Sequence, residues 1–254
     1  LGDTEIGIEL IKKLEKTTKQ NGTVVLTATP CIGLLANSLR AALAYRLIEG
    51  KSEMFNADTE RLLEAFSTHL DTLSFMSRFQ RDWIQDNLLN PAALSEIIHP
   101  IQLIQVLNNS SLLASYPTIF EGWNWYKSFC GNSNQFSQQW INQYNLKSHN
   151  LIDTKTVASD RNESDNIELE HFCKSANNRI LELRNHKLPD VDLVTIVQKI
   201  SSLIPGSHQH IIKCIDEWMK CYEKINISAD DVKNLHYFKN WFGRELLYMS
   251  FTKK

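Results

Sequence analysis

Two histidines and two cysteines lie close together in the C-terminal part of the chain and could ligate a metal ion. His210 and Cys214 are four positions apart, a spacing that places two ligands on one face of a helix. The cysteines also share the spacing of an apolar helix face with these neighbours: Ile211, Ile215, Trp218 and Tyr222. Because a buried free cysteine behaves as a small hydrophobic residue, we predict that Cys214 and Cys221 belong to the core and that His208 and His210 bind no metal.

Two consecutive aspartates, Asp230 and Asp231, form an acidic pair of the kind that binds magnesium. Over this short stretch alone, the pair resembles the aspartate-rich motif of helical prenyl-transferring and terpene-forming enzymes. That motif lies in the middle of a helix beside a deep apolar cavity, whereas these aspartates follow Ser228, which has the character of a helix N-cap. Acidic side chains in a first turn complement the helix dipole without a metal, so we predict a structural role for both.

Other residues with catalytic potential do not form a recognisable motif. His171, His186 and His236 are scattered, and the glycines form neither a phosphate-binding loop nor a dinucleotide fingerprint. Cys130 lacks sequence neighbours that would activate its thiol. We predict no catalytic residue, no metal site and no cofactor. An enzyme would need a site assembled from dispersed His, Asp and Glu side chains.

The most unusual local feature is an aromatic cluster within residues 120–129. Trp123 and Trp125 are two positions apart, which is about 200° of helical rotation, so a single core cannot contain both rings. Either further helices cover both faces, or one ring reaches solvent and serves a partner, since Trp is enriched in interface hot spots. Trp123, Trp125 and Tyr126 are therefore the predicted partner-binding residues.

Helix start signals recur along the chain and predict an all-α fold. Proline suits the first turn of a helix, and Asp or Ser before an apolar run suits the N-cap. These residues are Pro30, Pro91, Pro100, Asp58, Asp165, Asp190, Ser207 and Ser228. The apolar spacing that follows them predicts a multi-helix bundle or an irregular α-solenoid of about nine to eleven helices.

Three stretches carry the main assignments of secondary structure. Apolar residues at helical spacing predict one long helix over 58–85, a short helix over 110–115 and a last helix over 228–249. Residues 23–27 have the composition of a strand, but no partner strand is recognisable in the sequence. We interpret them as an extended lead into the helix at 30–48.

A polar stretch divides the chain into two predicted helical lobes. Residues 147–165 are polar and lack an apolar period, which is typical of a surface loop or linker that proteases cut readily. The predicted lobes are therefore residues 1–146 and residues 166–254, which could still pack together as one body.

Composition excludes some functions and favours a compartment. A net charge of −2 provides no basic surface for nucleic acid. Polar residues interrupt the apolar stretch 24–48, so we predict no membrane span.

An odd number of cysteines, five, argues against a disulfide framework and for a reducing compartment, the cytoplasm. Frequent Asn, Ile, Lys and Ser are common in AT-rich genomes. The host cytosol is the alternative if the source is an intracellular bacterium.

Three hypotheses of function remain open. The first is a non-catalytic protein–protein interaction module that binds or regulates a protein partner, as an effector of an intracellular bacterium would. The second is a helical enzyme with a dispersed site, and the third is a lipid- or membrane-surface-binding domain that uses the apolar helix at 30–48. The chain begins with Leu1 rather than Met, and we expect it to be part of a larger protein or a processed form.

Overall fold

The computed structural model describes residues 4–50, 54–73, 76–90, 92–95, 97–116 and 133–254. Its elements are, in chain order, α1 (Thr4–Thr17), β1 (Thr23–Ala28), α2 (Cys31–Leu47), α3 (Phe55–Leu70), α4 (Gln80–Ile84), α5 (Ala92–Ser95), α6 (Pro100–Val106), β2 (Ser110–Tyr116), α7 (Ser133–Lys147), α8 (Glu163–Glu182), α9 (Val191–Leu203), α10 (Gln209–Tyr222), α11 (Ala229–Lys233) and β3 (Leu247–Lys253). A π-helix follows α4 at Gln85–Leu89, and 3₁₀ turns lie at Ser148–Ile152, Gly206–His208 and Phe238–Asn240. The prediction of a mainly helical fold with nine to eleven helices is confirmed.

The helix α2 is the centre of the molecule. All 17 of its residues are buried, because apolar side chains surround the helix on every side and α8, α3 and the π-helix pack against it. Two arginines of α2 are buried as well, and both donate hydrogen bonds to backbone carbonyls of the C-terminal half. Arg46 binds the carbonyl oxygens of Lys187 at 3.0 Å and Lys224 at 2.6 Å. Across the described ranges, no helix combines the length and apolar character needed to cross a bilayer.

Several helix starts lie where the sequence places them. Pro100 is the first residue of α6, and the Asp190 side chain caps α9 by accepting a hydrogen bond from the Leu193 N–H at 2.8 Å. Ser228 and Asp231 form a reciprocal capping box at the start of α11. By contrast, the prediction that Asp58 caps a helix is wrong. It lies inside α3 and accepts hydrogen bonds from the backbone N–H groups of residues 49 and 50.

The prediction of one continuous helix over 58–85 is wrong. α3 ends at Leu70, and α4 begins only at Gln80. At the break, the Thr72 hydroxyl donates to the His69 carbonyl at 2.7 Å and to the Lys239 carbonyl at 3.3 Å. A threonine side chain that binds nearby carbonyls competes with the helical hydrogen bonds of the backbone. Phe79, an apolar residue of the predicted helix, is exposed and lies just before α4.

The prediction of a last helix over 228–249 is also wrong, since α11 ends at Lys233. Glu217 of α10 accepts the backbone N–H groups of residues 236, 237 and 238 at 2.6, 2.7 and 2.8 Å. The buried Arg40 donates to the carbonyls of Phe238 and Trp241 at 3.3 and 2.7 Å. These two side chains satisfy the backbone groups that a continuing helix would have paired internally.

The chain end instead forms the central strand of a small antiparallel sheet in the order β1-β3-β2. Val24 lies opposite Phe251, and Leu112 lies opposite Phe251 on the other side. Residues 23–27 and 110–115, interpreted from the sequence as an extended lead and a short helix, are therefore strands. Both pair with a strand more than 130 residues further along the chain, and local sequence patterns do not reveal such pairing.

The polar stretch 147–165 is mostly an ordered, partly buried part of the fold. Residues 148–153 are buried, so the prediction of a surface loop is wrong for them. The Asn150 side chain accepts a hydrogen bond from the Ala158 N–H at 2.6 Å and donates to the Ala158 carbonyl at 3.2 Å. Trp241 donates its indole N–H to the Ile152 carbonyl at 2.7 Å. Polar residues serve here as internal hydrogen-bonding partners.

The two predicted lobes share one hydrophobic cluster, because α2 packs against α8 and α3 packs against α11. The division at residues 147–165 itself stays a prediction.

Candidate functional site

The predicted partner-binding residues, Trp123, Trp125 and Tyr126, lie outside the described residues. The same holds for Cys130. Their role stays a prediction, and the site is built below from residues that the structure describes.

The cysteines of α10 belong to the core, as predicted. Cys214 and Cys221 lie on its buried face together with the apolar residues that the sequence analysis grouped with them. Burial raises the pKa of Cys214 to about 12 and that of Cys221 to about 11. Within the described ranges, no three His, Cys, Asp or Glu side chains are placed to hold a metal ion together.

Asp230 and Asp231 lie in the first turn of α11, as predicted. The Asp231 carboxylate accepts hydrogen bonds from the Ser228 backbone at 2.9 Å and from Lys224 at 2.6 Å. These bonds, led by that from Lys224, lower the pKa of Asp231 to about 2. The carboxylate is thus an acceptor for the helix cap and for a nearby ammonium group.

A group of reactive side chains that the sequence did not reveal meets at the N-terminus of α2. We name it the Glu170 cluster: Cys31, His99, Tyr144 and Glu170. Glu170 Oε1 accepts the Cys31 N–H at 2.7 Å and lies 3.4 Å from His99 Nε2. The Tyr144 hydroxyl lies 3.2 Å from the same histidine nitrogen. Four separate parts of the chain, α2, the start of α6, α7 and α8, supply these groups.

The electrostatics of the Glu170 cluster favour a helix cap over an activated thiol. A cysteine at a helix N-terminus usually has a lowered pKa because the helix dipole stabilises its thiolate. Here burial and the Glu170 carboxylate raise the pKa of the Cys31 thiol far above its usual range. Burial and Glu170 also raise the pKa of Tyr144. The Glu170 carboxylate already occupies the anion-binding end of α2. A thiolate at Cys31 would be a second negative charge beside it, so the Cys31 thiol stays protonated.

A second group lies where the 3₁₀ turn at Ser148–Ile152 meets the start of α10. We name it the histidine cluster: His149, Asp153, His208 and His210. The ring centroids of His149 and His208 are 6.0 Å apart with an interplanar angle of 87°. His210 Nε2 lies 3.0 Å from the Asp153 carboxylate, which is almost fully buried. His208 and His210 are the metal-ligand candidates predicted from the sequence. The Cys214 thiol donates a hydrogen bond to the His210 backbone carbonyl at 3.3 Å, whereas the His210 ring contacts Asp153.

Both buried rings of the histidine cluster are held in the neutral form. Burial, with the charge of Arg161, lowers the pKa of His149 to about 4. Burial lowers the pKa of His208 also, and the nearby Asp153 only partly offsets this effect. Burial alone would raise the pKa of Asp153, but hydrogen bonds, led by that with Thr156, bring it below its usual value.

The outer face of the sheet is the third candidate, and we name it the sheet face. The register of the three strands places these residues on it: Thr23, Val25, Thr27, Ala114, Tyr116, Tyr248, Ser250 and Thr252. The opposite face, with Leu247, Met249 and Phe251, is buried in the core. Val25, Tyr116 and Tyr248 are 63, 64 and 49 % exposed, and Tyr116 lies directly opposite Tyr248. No side chain of the sheet face is charged.

A groove of about 240 Å³ lies between α9 and α10. Its lining residues are Gln198, Asp216, Met219, Lys220 and Glu223. Ligand sites are typically concave and mainly apolar, whereas four of these five side chains are polar. The groove therefore has the character of ordinary surface between two helices.

Some of these groups had a signal in the sequence, and others had none. The alternation of buried and outward residues over 247–252 is a strand pattern, and the helix predicted over 228–249 overlaps its first residues. His149 and Asp153 lie in a stretch interpreted as a linker, and Glu170 looked like an ordinary polar position of α8. Only tertiary packing brings His99, Tyr144 and Glu170 together.

Comparison with protein-family models, with curated proteins and with solved structures gives no match for this chain.

Proposed function

We propose that this protein is a non-catalytic protein–protein interaction module that binds or regulates a protein partner through its sheet face. The observation that carries the proposal is the composition of this face. Val25, Tyr116 and Tyr248 are exposed together, and neither a charged side chain nor a proline interrupts them. Tyrosine and valine side chains that are exposed side by side, with no charge between them, form a surface of the kind that a protein partner covers.

The predicted partner-binding residues extend this proposal along the chain. Trp123 follows the last residue of β2, Tyr116, by seven positions in the sequence. Tyr and Trp are the residue types most enriched in interface hot spots. We propose that Trp123, Trp125 and Tyr126 contact the same partner as the sheet face.

A photo-crosslinking experiment tests the proposal. Tyr248 is replaced by benzoylphenylalanine, and the matched control carries the same group at Tyr237, which is 50 % exposed and lies away from the sheet. We expect one protein to be crosslinked stoichiometrically from position 248 and not from position 237.

A second pair of variants shows whether the crosslinked protein binds the sheet face. Val25→Lys places a charge beside Tyr248, and Val191→Lys places one at a valine that is 78 % exposed at the start of α9. Loss of the crosslink with Val25→Lys alone supports the proposal. Two results contradict the proposal. The crosslink could form equally from positions 248 and 237, or its yield could be unchanged by both Val25→Lys and Val191→Lys.

The Glu170 cluster supports a second candidate, a helical enzyme with a dispersed site. A carboxylate, an imidazole and a phenol within hydrogen-bonding distance could transfer protons to and from a substrate. A thermal-shift screen of small metabolites tests this candidate. A ligand that stabilises the wild type, fails to stabilise Glu170→Gln and still stabilises Glu168→Gln supports it. If no metabolite meets this criterion, the candidate fails.

The third hypothesis, lipid binding, loses its support. It relied on the helix at 30–48 as an apolar surface, and every residue of α2 is buried within the protein.

For localisation we propose a reducing compartment, the cytoplasm, or the host cytosol if the source is an intracellular bacterium. The cysteines that support this are unpaired thiols in the described part of the chain: Cys31, Cys173, Cys214 and Cys221.

A further inference from the structure

The sheet has two edge strands, β1 and β2, and they differ in how they are protected. The pairing of β2 with β3 is interrupted by a bulge between Leu112 and Ala114, and α7 packs against β2. A bulge and a neighbouring helix both discourage pairing with another chain. β1 instead pairs with β3 in an unbroken register from Thr23 to Ala28, and none of its six residues is charged or a proline.

The backbone groups of every second residue of β1 point away from the sheet. The Lys253 N–H donates to the Gly22 carbonyl at 3.0 Å, beside the first pair of the register. In an antiparallel ladder, hydrogen-bonded and non-bonded pairs alternate, so the even-numbered residues of β1 direct their N–H and carbonyl groups at β3. The odd-numbered residues, Thr23, Val25 and Thr27, therefore direct theirs outward.

These three residues form the open part of the edge, which we name the β1 edge. The next odd-numbered residue, Thr29, donates its N–H to the Ile98 carbonyl at 3.0 Å, so the protein itself occupies the edge from there on. Within the described ranges, no backbone group is hydrogen-bonded to the outward groups of Thr23, Val25 or Thr27. Their side chains are exposed as well. Three donors and three acceptors are thus accessible over about 17 Å, the length of five extended residues.

Two exposed leucines of α1 lie on the same side of the molecule as the β1 edge. Leu10 and Leu14 are 66 and 41 % exposed and one helical turn apart. At 100° per residue, they lie on one side of the buried Ile11, and Glu15 lies on the other side. The Glu15 carboxylate accepts a hydrogen bond from the Ser110 hydroxyl, at the start of β2, at 2.7 Å. Because Glu15 points to β2, the leucines are directed towards β1.

The surroundings of the β1 edge define the kind of chain that fits it. A strand added beside β1 would place alternate side chains on the sheet face, next to Val25, and on the opposite face, next to Leu26, which is only partly buried. Apolar side chains suit both positions. In such strand addition, main-chain hydrogen bonds provide affinity and the alternate side chains provide specificity.

A second copy of this chain is a poorer occupant of the β1 edge than a segment of another protein. Pairing of two β1 strands would create a contact about 17 Å long and only one strand wide. Each partner in a stable complex buries roughly 800 Å², which such a contact does not approach. A partner that also covers the sheet face gains the remaining area from Tyr116 and Tyr248.

We propose that the β1 edge binds an extended, uncharged segment of about five residues of the protein partner, which joins the sheet as a fourth strand. This inference rests on the proposed function, because it specifies how the partner of the sheet face is held. The outward groups of Thr23, Val25 and Thr27 form the hydrogen bonds, and apolar side chains of the added strand pack against Val25 and Leu26.

A proline substitution tests whether the backbone of β1 holds the added strand. Val25→Pro removes an outward donor and leaves the ladder to β3 intact, and edge strands tolerate proline where the N–H faces solvent. Val25→Thr is the matched control, since threonine keeps both the N–H and the branched shape of valine. Circular dichroism and urea unfolding show whether each variant is folded. If Val25→Pro does not fold, Thr23→Pro at the first residue of the strand replaces it, with Thr23→Val as its control.

A displayed library of random peptides is the probe, because it requires no knowledge of the partner. Selection on the folded full chain should enrich peptides that share a run of about five uncharged residues with apolar side chains at alternate positions. The affinity of an enriched peptide should fall at least about tenfold in Val25→Pro and stay within about twofold in Val25→Thr, since only the proline removes a hydrogen bond.

Amide hydrogen exchange followed by NMR shows which backbone groups bind the peptide. In the free protein, the N–H groups of Thr23, Val25 and Thr27 should exchange fast, whereas those of Val24 and Leu26 should exchange slowly. The enriched peptide should slow exchange at the three outward positions.

Several results would overturn the added strand. The selection could enrich no peptide of this kind, the proline variant could bind as tightly as its control, or the outward amides could already be protected in the free protein. A wild-type dimer that Val25→Pro converts to a monomer, measured by light scattering, would assign the β1 edge to a second copy. A crosslink from position 248 that persists in Val25→Pro would refute the added strand alone and leave the proposed function intact.

Discussion

Gly33 of α2 and Gly243, in the segment before β3, bring their backbones into direct contact. A methyl group on Gly33 would overlap the Arg244 carbonyl, and a methyl group on Gly243 would overlap the Gly33 carbonyl. The N-terminal end of the central helix thus packs on the chain that enters the sheet, and only glycine permits this approach. Arg40, two turns further along α2, binds the carbonyls just before this contact.

We predict that Gly33→Ala destabilises the protein by about 1–3 kcal/mol, because the added methyl group meets backbone atoms that cannot rotate away. The loss should occur even though alanine favours a helix over glycine by about 1 kcal/mol. Gly7→Ala in α1 is the matched control, since the nearest atom there is the Ile98 Cδ1 at 3.6 Å. Urea unfolding should show the control equal to or above the wild type. Equal stability of both variants would mean that the close contact does not exist.

Arg40 provides a second test of the same packing. Its guanidinium is fully buried and lies 3.8 Å from the centroid of the Phe242 ring. It donates to carbonyls of the segment after α11, which contains the 3₁₀ turn Phe238–Asn240. We predict that Arg40→Met lowers the free energy of unfolding by about 3–5 kcal/mol, since several buried carbonyls lose their donor at once.

The matched control for this substitution is Arg78→Met. Arg78 is half exposed and pairs with Asp86 on the surface, so its loss should cost at most about 1 kcal/mol. Both variants can be compared by urea unfolding under one set of conditions. A cost at Arg40 as small as that at Arg78 would show that the carbonyls find other donors or water.

Local sequence patterns were sufficient to predict some helix caps and one buried helix face. The caps at Asp190 and Ser228 and the buried face of α10 depend on residues within a few positions of one another, and each was predicted correctly. The apolar residues of 30–48 were correctly predicted as a helix, although the degree of its burial depends on neighbours from the whole chain.

The errors at the C-terminal end and in the strands have a common physical origin in long-range contacts. Glu217 and Arg40 stop the helix that the spacing of 228–249 predicts, and both act across a gap in the sequence. β1 needs β3 as a partner, and more than 210 residues separate the end of β1 from the start of β3. The histidine cluster and the Glu170 cluster depend on the same kind of contact, so no motif could have revealed them.

Burial of the cysteines leads to a prediction about their reactivity. In a Cys130→Ser background, the four described cysteines should react with iodoacetamide at about pH 8 at least about 100-fold more slowly than in urea, because only the thiolate is nucleophilic and burial suppresses it. Mass spectrometry of the labelled peptides assigns each site. Rapid labelling of Cys31 in the folded protein would show that Glu170 does not keep its thiol protonated, and it would favour the enzyme candidate.

The last prediction concerns the residues with which partner binding was first associated. We expect that at least one of Trp123→Ala and Trp125→Ala weakens binding of the partner captured at the sheet face and leaves the protein folded. Two positions on a helix differ by about 200°, so a single core cannot contain both rings. Removal of a ring in the core should cost about 3–5 kcal/mol of stability, whereas removal of a ring at an interface should leave the melting temperature nearly unchanged.

Trp140→Ala is the control for a core ring, since Trp140 is buried and its indole N–H donates to the Ser115 hydroxyl at 2.8 Å. Melting temperature and partner affinity are measured for all three variants. The opposite result is that Trp123→Ala and Trp125→Ala both lower the melting temperature, as Trp140→Ala should, and that neither weakens binding beyond its loss of folded protein. In that case the aromatic cluster belongs to the core, and the sheet face must bind the partner without it.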